Sequence, residues 1–374
     1  MKKALLSIAL LLSVIATSPV AYGQVLGKKP DGKDDGKVII QDVKRIPNTS
    51  VKNQGRSGTC WCFATTSFLE AEILKATNKT YDLSEMFTVR NNYIRRVKDN
   101  YLRKGKGNIG EGSIAHMVLY VMKHQGSMPE SAYPDTMPGQ SYPDHSMLQR
   151  YLKAMTKVSV DSRKRMPDEL LNGLLDSYLG KVPATFEYEG VEYTPKSFQK
   201  SLGLKLDDYV EITSFSHHPF YEYVPLEIPD NWDNEKQFNV PIDVLIDVLD
   251  KAIDRGYTIA WDGDVSESTF RTKNFNVIYN GATEKINGKD VVTQDIRQAQ
   301  FENFTTTDDH LMHCVGSAKG SDGKDYYIIK NSWGPKAQDH GYIYLSKNYV
   351  AAKTISILIN KNALDKDLRK KLSE

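Results

Sequence analysis

Apolar and polar positions change their period several times along this chain, and each change marks an element. Residues 60–76 place Phe63, Ser67, Ala71 and Leu74 near one face at helical spacing, which predicts an amphipathic helix opening at Cys60. A basic helix is expected after Leu83, Ser84, Glu85 and Met86, running to residue 104. Further helices are expected over 114–124, near Asp168–Leu179 and in the charged C-terminal residues 363–374. Residues 309–316 and 326–334 are short apolar runs rich in β-branched and aromatic residues. They flank the turn-rich segment 319–324 and read as two strands of a hairpin.

The N-terminus carries a different pattern. Lys2 and Lys3 precede an apolar run over 4–16, and Ala21, Tyr22 and Gly23 form a small-x-small cleavage site before Gln24. This predicts a secretory signal over 1–23 and export to the periplasm or the medium if the source is bacterial. The run is too short for a membrane span, and no Cys follows the cleavage site to carry a lipid. Residues 24–40 read as a linker or short pro-segment. The remainder, 41–374, reads as one folded domain with a helical half, an insertion over about 129–232, a β-rich half over about 256–350 and a tail over 360–374.

Loss of Lys2 and Lys3 with the signal leaves 47 basic against 47 acidic residues, which argues against a nucleic-acid partner or a strongly acidic substrate. Three cysteines are too few for a disulfide framework. With Cys60 free, only Cys62 and Cys314 could pair.

The chemistry concentrates in residues 54–64, Q-G-R-S-G-T-C-W-C-F-A. A Cys that opens a helix meets free N–H groups and the positive end of the dipole, both of which favour a thiolate. Gln54, six residues earlier, can join the Cys60 N–H around the oxyanion formed when the sulfur attacks a carbonyl. An inert buried Cys60 and a metal or dithiol use of Cys60 with Cys62 are the competing readings. Two residues apart on a helix, the side chains of Cys60 and Cys62 diverge by about 200° and cannot clamp one ion.

A partner base is expected far downstream, and D-H-L-M-H-C-V-G over 309–316 supplies it. The hairpin sets a His at the start of one strand beside Asn331 at the end of the next. The Asn oxygen then fixes the ring and turns its other nitrogen to the thiol. Trp333 could cover that hydrogen bond. His310 and His313, three apart on a strand, point to opposite faces, so only one can meet Cys60. Resemblance to the papain-like cysteine peptidases, whose His segment has this Gly spacing and, in one branch, this Met, favours His310 through Gly316 and Met312, leaving His313 as a core His bonded to a backbone carbonyl. The same geometry opposes an H-x-x-H metal site completed by Asp308 or Asp309. His217 and His218 read as surface or packing residues rather than metal ligands.

These segments resemble the papain-like cysteine peptidases: Gln54 and Cys60-Trp61, His310 with Gly316, and N-S-W-G over 331–334 occur in that family's order. Within it the chain is most similar to the bleomycin hydrolase and aminopeptidase C branch, through S-G-T-C-W-C-F-A over 57–64 and Met312 after His310. Ser57 stands where secreted papain-type enzymes carry a disulfide Cys. The segment 240–243 leading into I-A-W-D-G-D-V over 259–265 is similar to the branch's helix-then-strand wall before the His.

The resemblance implies an α+β, papain-like two-subdomain fold, with a helical left half and a β-rich right half around a cleft. It implies peptide-bond hydrolysis through a Cys60 acyl-enzyme, with Gln54, His310 and Asn331 as the other catalytic residues and no metal or cofactor. The substrate is a peptide, and self-association stays open. Gly110 and Gly112, from a stretch with four glycines over 105–112, either let the substrate backbone approach or belong to a plain loop. Trp333 and Glu374 complete the candidate substrate contacts. In the branch a C-terminal arm lies in the cleft and restricts the enzyme to N-terminal residues, so aminopeptidase action is expected. Endopeptidase action, or a binding protein on the same scaffold, are the alternatives.

Overall fold

The computed structural model describes residues 38–271 and 276–373. The expected signal, residues 1–23, and nearly all of the expected linker lie outside them. Ile40, expected in the linker, already belongs to strand β1 (Ile40–Arg45), which pairs with the long strand β11 (His310–Gly320).

The helical half comprises α1 (Cys60–Thr77), α2 (Glu85–Leu102), α3 (His116–His124), α4 (Ser146–Ser162), α5 (Asp168–Leu179) and α6 (Pro195–Ser201), with a small hairpin of β2 (Phe186–Tyr188) and β3 (Val191–Tyr193). Ser84 caps α2 by accepting from the Phe87 N–H at 3.1 Å, and Asn78 ends α1 in the left-handed region at φ 57°. Residues from Trp61 to Ile73 of α1 are all buried, so the helix expected as amphipathic is covered on every side and serves as a core element. It packs on β11 and on β7 (Ile259–Gly263).

The β-rich half is built on a mixed ten-stranded sheet. Besides the strands already given it uses β4 (Tyr209–Thr213), β5 (Tyr223–Pro225), β6 (Lys236–Asn239), β8 (Asn276–Val277), β12 (Asp325–Lys330), β13 (Tyr342–Ser346) and β14 (Thr354–Asn360). The order is β5-β6-β4-β14-β7-β11-β12-β13-β8, with β1 on β11. β9 (Glu284–Ile286) and β10 (Lys289–Val291) form a separate hairpin. The expected insertion is therefore not a separate appendage: β4, drawn from it, pairs with β14, which lies beyond the expected limit of the β half. α7 (Ile242–Asp254) buries Ile242, Leu245, Val248, Leu249, Ala252 and Ile253 against the sheet, the i, i+3, i+7 rhythm of a helix lying on a core. α8 (Gln294–Glu302), α9 (Lys347–Lys353) and α10 (Lys366–Lys371) complete the chain.

Two glycines show why β11 has its composition. The turn to β12 uses Gly323 at φ 73°. At Gly316, beside a register shift in β11, a Cβ would sit 2.1 Å from the Lys44 carbonyl oxygen, so only glycine lets β1 cross there.

Arg297 of α8 locks the two ends of this half together. Fully buried, it donates to the carbonyls of Ser214 (2.7 Å), Ala351 (3.0 Å), Ala352 (3.4 Å) and Thr354, and lies over the Phe215 ring. Its charge has no carboxylate within ion-pair distance among the described residues. Arg297→Met leaves these carbonyls without donors in a dry site, and we expect a loss of about 3–5 kcal/mol. Urea unfolding reads this as a lower midpoint at unchanged slope. A shift under about 0.5 kcal/mol, as for an ordinary surface substitution, would rule out the locking role.

Candidate active site

Cys60 is the first residue of α1 and is half-buried. The first helical bonds run from the Cys62 and Phe63 N–H groups to the Thr59 carbonyl, at 2.9 and 3.3 Å, leaving the Cys60 N–H outside the helix ladder. The turn before it is braced from several sides. The Ser57 hydroxyl donates to the Gln54 carbonyl at 2.7 Å and lies 2.6 Å from the Thr59 hydroxyl. The Gly58 N–H donates to the Glu111 carboxylate at 2.6 Å, and the Trp61 indole to the Glu111 carbonyl at 3.0 Å. Gly55 (φ 59°) faces the Pro143 carbonyl so closely that a Cβ would stand 2.5 Å from it.

His310 begins β11 opposite Gly263 of β7, and the β11–β12 register pairs His313 with Lys330, so Asn331 follows directly at the end of β12. The Asn331 Oδ1 accepts from His310 Nε2 at 2.8 Å and from the Ser332 N–H at 2.7 Å. Its Nδ2 donates to Gln338 at 3.1 Å, which fixes the amide orientation. With Nε2 as the donor, Nδ1 of His310 holds a free lone pair. Trp333 stacks on the His310 ring at 5.1 Å and 27°, with Phe270 edge-on behind it. Gln54 is held by its own carboxamide: Oε1 accepts from the Ser332 hydroxyl at 2.6 Å, and Nε2 donates to the Ser57 carbonyl at 2.8 Å. One Nε2 hydrogen stays uncommitted.

Gln54, Cys60 and His310 line one open cleft of about 410 Å³ together with Gly110, Gly112 and Asp230. The four residues singled out for catalysis thus belong to one arrangement, with Asn331 behind His310. Both glycines face the cleft, which favours the substrate-approach reading over a plain loop. Trp333 touches His310 rather than the cleft wall.

Burial governs the charges. It pushes the Cys60 thiol up to about 12, with the charges of Asp262, Asp230 and Asp308 adding to the rise and a hydrogen bond with the Leu311 backbone opposing it. Enclosure brings the His310 imidazole down to about 4, against the hydrogen bond to Asn331. Both shifts favour the neutral thiol and the neutral imidazole, opposing the pull of the helix terminus toward a thiolate.

The remaining candidates fall elsewhere. His313 is buried against α1, where its Nδ1 accepts from the Ser67 hydroxyl at 2.8 Å. Ser67 in turn accepts from Lys330 Nζ at 2.7 Å, so the expected carbonyl partner is replaced by a hydroxyl. Cys62 and Cys314 are buried in different core clusters and unpaired. His217 and His218 share Glu227 at 3.1 and 3.0 Å. The Gln298 amide donates to His217 Nδ1 at 2.9 Å, so the proton sits on Nε2, where a metal would need a lone pair. Glu374 lies outside the described residues. The tail before it packs on α7 and β5: Leu368 and Leu372 join that core, Lys251 pairs with Asp365 at 2.6 Å, and Lys371 lies over Tyr221. Four strands separate β5 from β11, and no described tail residue lines the cleft. Asp230 was missed by the sequence reading. Its only signal is the acidic P-D-N-W-D run over 229–233, which gives no address in the fold.

A family model described as "Peptidase C1-like family" matches residues 28–374. The chain is similar to an aminopeptidase G of Lactobacillus delbrueckii subsp. lactis, at 22% identity over 88% of this chain and 84% of that one. It is also similar to an aminopeptidase C of Listeria monocytogenes serovar 1/2a, at 24% identity over 89% and 85%. Among solved structures, PepW from Lactobacillus rhamnosis HN001 shares the fold with a TM-score of 0.69 and 20% identity, over 89% of this chain and 84% of that one.

Proposed function

The chain belongs to the peptidase C1-like family, a cysteine peptidase family, and on that footing we propose that it is an aminopeptidase acting through a Cys60 acyl-enzyme. The observation that carries the reading is the His310–Asn331 hydrogen bond of 2.8 Å in the cleft that Cys60 and Gln54 line. As the Cys60 sulfur bonds to the peptide carbonyl carbon, its proton passes to His310 Nδ1. The carbonyl oxygen becomes an oxyanion facing the Cys60 N–H and the free Gln54 Nε2 hydrogen. Collapse breaks the C–N bond while His310 returns the proton to the leaving amine. Water, deprotonated by His310, then cleaves the thioester. Asn331 holds the ring through both steps. The aminopeptidase names of the relatives above support exopeptidase action.

The pH profile tests the base. His310 must be neutral to accept the thiol proton, and enclosure depresses its pKa to about 4. With an alanyl amide, whose own amine titrates only at about 8 and stays charged over the acid limb, we expect kcat/KM to hold through pH 6 and fall only as pH drops toward about 4. No alkaline loss is expected from the thiol, which sits near 12. An acid limb centred at about 6.5, the unperturbed imidazole value, would contradict an enclosed base.

The proposal includes export. Lys2, Lys3, the apolar run and the Ala21-Tyr22-Gly23 site support it. The mass of the protein recovered from its source tests it: a chain beginning at Gln24 is expected, and an intact N-terminus would refute it.

A further inference from the structure

We propose that Asp230 forms a cation subsite in the cleft that receives a substrate ammonium group and so selects peptides by their free amine. The inference rests on the peptidase reading above and assigns it a specificity residue.

The geometry begins with the substrate. In an N-terminal residue the amine nitrogen lies about 2.5 Å from the scissile carbonyl carbon, by standard backbone dimensions. A carboxylate that holds this nitrogen at about 2.8 Å must therefore stand within about 5–6 Å of the carbon under attack. The anchor has to share the cleft with the nucleophile, and the described tail does not enter it. Asp230 does share it. It lines the same cleft as Cys60 and His310, and its charge reaches the thiol. It arrives on the connection between β5 and β6, which is tied to the helical half on both sides. The Asn108 amide donates to the Pro229 carbonyl at 2.8 Å, and Arg95 lies over Trp232 and pairs with Asp233.

The carboxylate sits directly on Gly112, where a Cβ would come within 1.9 Å of an Asp230 oxygen. Glycine at 112 keeps this carboxylate in the cleft, a requirement that a plain loop would not impose. Asp230 has no hydrogen bond or ion pair of its own among the described residues. Arg96, the cation whose charge reaches it, is spent on the Asn108 and Gly112 carbonyls.

Behind it lie two more acids. Asp262 of β7 pairs in register with Leu311 and shares a sheet face with Ala260, which packs toward α1. It is 1% exposed, and among the described residues the one side chain its carboxyl meets is the neighbouring acid Asp308, with no cation beside it. Asp308 leaves Oδ2 unpartnered. Burial raises both groups, helped by the Asp308 charge at Asp262 and by the Asp230 charge at Asp308, which rises to about 7. Unpartnered buried carboxylates are costly unless a cation or donor reaches them. A positively charged amine entering beside Asp230 supplies that compensation. Lys153 is the lone cationic side chain on the described cleft wall, and it sits exposed on α4.

Two sources can present this chemistry: the α-ammonium of the first residue or the side chain of a lysine. Three fluorogenic amides separate them in the full-length protein: alanyl, N-acetyl-alanyl and N-acetyl-lysyl. In Asp230→Asn we expect kcat/KM on a cationic substrate to fall about 10- to 100-fold further than on N-acetyl-alanyl. Asp230→Glu should restore part of the ratio. A selective loss on alanyl amide assigns the subsite to the α-ammonium, and one on N-acetyl-lysyl amide assigns it to the side chain. Equal losses on all three, or a ratio like the parent's, would overturn the inference. Cys60→Ala is assayed beside it. If Cys60→Ala cleaves as fast as the parent, the peptidase reading fails and the inference with it. If Cys60→Ala is dead while Asp230→Asn keeps the parental ratio, the inference alone fails.

Discussion

Cys60→Ala is expected to lower kcat/KM for peptide amides by on the order of 10⁴–10⁶-fold, while Cys62→Ala keeps most of the parental rate. The nucleophile and its base act as one unit, so losing either removes nearly all covalent catalysis. Cys60 is half-buried in the cleft at the start of α1. Cys62 is fully buried and turned away, its thiol 3.3 Å from the Glu85 carbonyl. Burial also raises the Cys62 thiol well above its ordinary value, so it stays protonated and inert at neutral pH. The Cys62→Ala variant should lose about 1 kcal/mol of stability through the small cavity it opens. Steady-state rates at matched concentrations of folded protein decide the matter. Comparable losses in the two variants would point to a dithiol mechanism and end the acyl-enzyme reading.

The second large effect belongs to the imidazoles. His310→Ala should cost on the order of 10³–10⁵-fold in kcat/KM, because no other described imidazole lines the cleft beside Cys60. His313→Ala should instead reduce stability by about 1–3 kcal/mol, since it breaks the chain from Lys330 through Ser67 to the ring and leaves a hole against Phe68. Each variant is followed by both rate and urea midpoint. A His313→Ala protein with full stability and no activity, beside an active His310→Ala, would transfer the base to His313.

Much of this could be read in the sequence where the information is local. The helix opening at Cys60, the hairpin carrying His310 and Asn331, and the step from α7 into β7 each announce themselves by period and turn residues. The unread part is non-local. β4 and β14 are five- and seven-residue strands that pair residues 209–213 with 356–360, and a short buried run does not reveal its partner. Residues 129–232 therefore read as an insertion, although part of them builds the middle of the sheet. Asp230 was invisible for the same reason. An acidic residue in a loop carries no mark of the cleft until β5 and β6 deliver it there. The thiol shows the third kind of gap. A helix terminus and a neighbouring imidazole are visible in the sequence, but the enclosure and the three nearby carboxylates that push the thiol up are not.

The docking of the C-terminal residues has a practical and a biological side. Through Leu368 and Leu372 the described tail is fastened to α7, on the surface that β5 shares, and a solid support attached at the exposed Lys366 would leave the cleft open. A gate made from a chain end is also easy to lose, because one cut by a carboxypeptidase turns a trimmer of N-termini into a general protease. A gate made by Asp230, held inside an internal loop by Arg95 and Asn108, withstands such wear. An enzyme working among other proteases would then keep its selectivity as its ends are nibbled away.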